Sequence, residues 1–83
     1  MQEALHFAVT HGELQVAAFL LEHGASVNGV SRGHHCETPL AQAIFVSEFD
    51  AARWLHARGA DSELVDGKRG ESARAMAKGR IDL

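Results

Sequence analysis

An internal repeat constrains this chain more than any other feature. The stretch from Ala4 to Asn28 returns 35 residues later, starting at Pro39. Leu5, Ala8, Glu13, Ala17, Leu20, Gly24 and Ala25 recur unchanged as Leu40, Ala43, Glu48, Ala52, Leu55, Gly59 and Ala60. Between them Val9 pairs with Ile44, Leu14 with Phe49 and Phe19 with Trp54. A period of this length belongs to architectures in which each unit buries its apolar face against its neighbours.

Within one unit the apolar spacing is helical. Leu5, Ala8 and Val9 fall on one side of a segment from Gln2 to Thr10, with Glu3 in its first turn where the helix dipole favours negative charge. Gly12 breaks the segment because glycine adopts positive φ without penalty. Leu14 to His23 is the second helix; Leu14, Ala17, Leu20 and Leu21 form its stripe, widened by Val16 and Phe19, and Gly24 closes it. Two helices joined by so short a turn lie antiparallel as a hairpin. The polar stretch from Ser26 to Glu37 has no helical period and reads as a projecting loop. Thr38-Pro39 supplies an N-cap and a first-turn proline, so Pro39 to Val46 and Glu48 to Arg58 repeat the hairpin, with Gly59 ending it. A second loop, Ala60 to Gly70, leads to a fifth helix from Ser72 to Lys78 with Met76 and Ala77 inward. Ile81 to Leu83 resembles the first turn of a sixth.

Size and charge narrow the functional classes. The 83 residues fit one domain, with residues 1–37, 38–71 and 72–83 as two repeats and a partial third. A net charge of −3 argues against a nucleic-acid platform. The longest apolar run, Val16 to Leu21, is too short to span a bilayer, and no signal-peptide pattern opens the chain. One cysteine excludes an internal disulfide and points to a reducing compartment, so the expected location is cytoplasmic. Charge is distributed unevenly: no Lys or Arg precedes Arg32, whereas Lys68, Arg69, Arg74, Lys78 and Arg80 crowd the other end.

The repeat resembles the ankyrin repeat. In the first copy Ala4-Leu5-His6-Phe7-Ala8 is similar to the family's helix opening, Gly12 to its inter-helix glycine, and Leu20-Leu21-Glu22-His23-Gly24-Ala25 with Asn28 to its close. Thr38-Pro39-Leu40, Ala43, Leu55, Gly59, Ala60 and Asp61 carry the likeness in the second copy, and Gly70 to Ala73 with Ala77 in the third. Ser47 stands at the inter-helix glycine, Cys36 at the loop glycine before Thr-Pro, and Glu63 at the asparagine. The first loop is two residues longer than the family period of about 33 residues, from which a distorted first tip is expected.

The resemblance implies an all-α solenoid of stacked antiparallel helix hairpins with projecting loops, and no enzyme activity or cofactor. It further implies protein recognition through loop tips and the concave face of each first helix. Carried over, the contact positions are Thr10, His11, His34, His35, Glu37, Phe45 and Val46, with Lys68, Arg69 and Glu71 in the partial repeat. Phe45-Val46 replaces Thr10-His11 of the first copy and reads either as an apolar anchor on the concave surface or as core. His34-His35-Cys36-Glu37 holds metal-ligand residue types, but adjacent residues diverge and no second pair is spaced for a tetrahedral site, so a solvated tip is the better reading. His6 is expected to bond loop backbone and Trp54 to be core paired with the Phe19 layer.

The expected function is therefore a protein–protein interaction module: an adaptor, inhibitor or immunity-type antagonist. The partner is a protein, with no nucleic acid and no membrane. An architectural segment of a longer protein is the alternative, and a metal- or redox-responsive His34–Cys36 tip a further one. Gln2, Glu3 and His6 read as the polar outer face of an N-terminal cap. Ile81 and Leu83 need cover, which makes self-association through the C-terminal end of the stack part of the expectation.

Overall fold

Among the described residues five helices form where the apolar period and the caps place them. The computed structural model describes residues 2–29, 38–64 and 72–82. Helix α1 spans Gln2–Thr10, α2 Leu14–Glu22, α3 Pro39–Phe45, α4 Phe49–Ala57 and α5 Ala73–Ala77. Thr38 caps α3 by accepting the Ala41 amide on its hydroxyl at 3.2 Å, and Ser72 caps α5 in the same way through the Ala75 amide at 3.1 Å. Both satisfy a first-turn donor that the helix cannot satisfy itself. Pro39 sits in the first turn of α3, where its missing N–H leaves no bond unmade.

Helices α1 and α2 pair as one hairpin, α3 and α4 as the next, and α1, α3 and α5 line up side by side. Helix α3 is the centre of the stack because it packs on α1, α4 and α5. Leu5, Val9, Pro39, Leu40, Ile44 and Leu55 are fully buried, and the other buried apolar positions among the described residues are alanines, which let the helix backbones approach closely. Leu14, Leu20, Leu21, Trp54, Met76 and Ile81 border this core half-buried. Trp54, expected as core paired with the Phe19 layer, is instead half-buried at the border of the core, with the Arg58 guanidinium 4.2 Å over its ring. Phe19 contacts His23 at 4.2 Å instead of joining a buried layer.

The two hairpin turns have the same backbone and different residues. Gly12 has φ 69° and Ser47, its equivalent, φ 63°. The Glu13 amide donates to the Ala8 carbonyl at 2.8 Å, and the Glu48 amide donates to the Ala43 carbonyl at the same distance. Replacing glycine by serine therefore leaves the hairpin intact and forces a side-chain-bearing residue into the left-handed region, at about 1 kcal/mol. Ser47→Gly is expected to raise the melting temperature by roughly 4–8 °C, which thermal circular dichroism would read directly.

Successive repeats are also tied through polar side chains. The Asn28 Oδ1 accepts the Asp61 amide at 2.7 Å, linking the end of the first hairpin to the end of the second. At the next junction Glu63 occupies the asparagine position and pairs with Arg74 of α5, whose amide also donates to the Ser62 carbonyl at 2.9 Å. The ion pair is exposed on both sides and contributes little, whereas the amide tie satisfies a backbone donor. Asn28→Ala is expected to lower the unfolding free energy by about 1 kcal/mol in urea titration, and Glu63→Gln by less than half of that.

Candidate functional site: the ends of the first helices

The carried-over contact positions on helices α1 and α3 occupy equivalent places, because Thr10 and His11 end α1 as Phe45 and Val46 end α3. Their environments differ. The half-buried Thr10 donates its hydroxyl to the His6 carbonyl at 2.7 Å and accepts the Gln42 Nε2 of α3 at 3.3 Å. It thus holds neighbouring repeats together before it can meet anything else. His11 is exposed, its Nδ1 donating to the Phe7 carbonyl at 3.0 Å and its ring stacked on Phe7 at 4.3 Å between centroids. Because a carbonyl can only accept, Nδ1 carries the proton in this bond.

Phe45 is 42% exposed and Val46 half-buried. An aromatic residue with that much surface is not core, so the core alternative raised by the sequence does not describe it. Val46 is the C-cap of α3, with its amide donating to the Gln42 carbonyl, so this edge of the surface is set by the helix end. His34, His35, Glu37, Lys68, Arg69 and Glu71, together with the Cys36 tip and the expected distortion of the first loop, lie outside the described residues. Among the described residues no group of three or more His, Cys, Asp or Glu could hold a metal ion. No described helix is long and apolar enough to cross a membrane.

Sequence reasoning missed two features. Gln2 is not a solvated cap residue: its Nε2 donates to the Ser26 and Gly29 carbonyls at 3.0 Å each, and its Oε1 accepts the Ser26 amide at 3.1 Å. It stitches the start of α1 to the loop after α2. His6, expected to bond loop backbone, is buried, and its Nδ1 donates to the Gln2 carbonyl of its own helix at 2.9 Å. The outer face of the first hairpin is consequently not the polar cap expected. Phe7, Val16 and Phe19 stand on the surface there, at 66%, 48% and 58% exposure.

A stack of helical hairpins, each tied to the next through side chain and backbone, defines a helical-repeat solenoid. Sequence comparison gives the family: the model for ankyrin repeats, three copies, matches residues 1–66. This chain belongs to the ankyrin-repeat family. No curated protein matches the sequence. Ankyrin repeats are in general protein–protein interaction modules without enzyme activity.

Proposed function

We propose that this chain is a cytoplasmic, non-enzymatic recognition domain formed by residues 1–83, working as an adaptor, inhibitor or antagonist that occupies a protein surface. The observation that supports this reading best is the exposed Phe45 at the end of α3, next to half-buried Val46 and one repeat away from exposed His11. An exposed aromatic ring beside an aliphatic side chain is the composition of an interface anchor. Binding would extend from these positions onto the loop residues His34, His35, Glu37, Lys68, Arg69 and Glu71. The mechanism is steric and electrostatic complementarity; no bond is made or broken.

Affinity capture from the source cell tests the reading, with Phe45→Ala and His35→Ala chains run in parallel. The expected result is a protein retained by the unmodified chain and lost from both variants while their circular dichroism is unchanged. Identical retention by all three chains would remove these residues from the binding surface.

A further inference from the structure

The three large apolar side chains exposed on the first hairpin share a register. Phe7 corresponds to Gln42 of the second repeat, Val16 to Ala51 and Phe19 to Trp54, each 35 residues on. Inside the stack the first of these positions faces the preceding hairpin, and the other two are wholly or half buried. Gln42 bonds Thr10 of α1, Ala51 is 1% exposed, and Trp54 is half-buried. In the first hairpin the same positions all carry large apolar groups and meet water. Phe7 and Val16, with Ala4, Ala8, His11 and Glu13, line an open groove of about 610 Å³. The leading face of this hairpin therefore has the composition of a repeat-to-repeat junction.

Charge selects the occupant. Residues 2–29 contain Glu3, Glu13 and Glu22 and no Lys or Arg. The opposite end of the stack carries Lys78 and Arg80 against Asp82, with Arg74 already paired to Glu63, and a second groove there is lined by Ala75, Lys78, Gly79, Ile81 and Asp82 among others. Two leading faces brought together would oppose carboxylates, whereas a leading face on a trailing end matches negative with positive. We propose that the leading face of one copy docks on the α5 end of a second copy, continuing the stack from molecule to molecule. In the register that sets Gln42 against Thr10 and Glu48 beside Gly12, Phe7 would lie toward Gly79 and Glu13 toward Ile81 and the adjoining Arg80, over the groove that the exposed Ala75 also lines. Such a contact is heterologous: each copy keeps one end free, so assembly proceeds beyond the dimer.

Sedimentation equilibrium of the whole chain, under a thiol reductant to keep Cys36 from cross-linking, tests this with variants blocked at one end. Phe7→Glu and Val16→Glu each block the leading face at exposed positions, and Ala75→Glu blocks the trailing end. Expected is a mass that climbs past the dimer with concentration for the unmodified chain, monomers for each variant alone, and a dimer that stops there when Phe7→Glu is mixed with Ala75→Glu. An unmodified chain that stays monomeric at millimolar concentration overturns the proposal and gives the face to a different hairpin. A dimer that Ala75→Glu leaves untouched while Phe7→Glu abolishes it overturns it in favour of two leading faces meeting.

Discussion

Leu40→Ala is expected to lower the unfolding free energy by about 3 kcal/mol and the melting temperature by roughly 12–24 °C. Leu40 is fully buried in α3, the helix that packs on α1, α4 and α5. Truncating it removes apolar burial and leaves a void bordered by all three junctions, which cannot all close on it at once. Many of its buried neighbours are alanines with no side-chain length to extend into the gap. A chain of this size has a total stability of roughly 4–12 kcal/mol, so this one change removes a large share of it. Urea titration followed by circular dichroism and by Trp54 fluorescence would read the loss. A change below about 1 kcal/mol would mean that α3 is not the element on which all three packings depend.

Phe45→Ala is expected to do the reverse: weaken partner binding about 30-fold with little change in stability. Truncating an aromatic anchor at an interface centre typically costs about 2 kcal/mol, which is that factor in affinity. The folded chain loses less, because 42% of the side chain is already in water. The two measurements separate the roles. A drop in melting temperature as large as that for Leu40→Ala, with affinity preserved, would place Phe45 among the structural residues and move the binding surface to the loops.

Much of the fold is legible in the sequence because its signals are local. The expected span of α1 is the observed one, and the other helix ends fall within one residue of expectation. Those ends are set by caps and turn residues such as Thr38, Ser72 and Gly12, whose effects reach only three or four residues along the chain. Even Ser47 is readable: the repeat aligns it with Gly12, and the structure gives it the same left-handed backbone.

The surface is less legible, for a physical reason. A periodic pattern reports which side of a helix is apolar but not what lies against it. Val16 and Phe19 read as a widened stripe of α2, continuous with Ala17 and Leu20. Once the hairpins stack, Ala17 is buried while Val16 and Phe19 face outward. Thr10 shows the opposite case: a polar residue at a contact position that the neighbouring repeat engages through Gln42. Gln2 is similar, since its bonds join residues 24 and 27 positions apart and no local pattern announces them.

The sequence by itself thus determined the repeat, the helices and their ends, and the family's stacked architecture, all through local spacing and turn chemistry. The tertiary structure decided which apolar groups became core and which stayed in water. Burial depends on the neighbour that arrives from the next repeat, and that neighbour is fixed only when the hairpins stack.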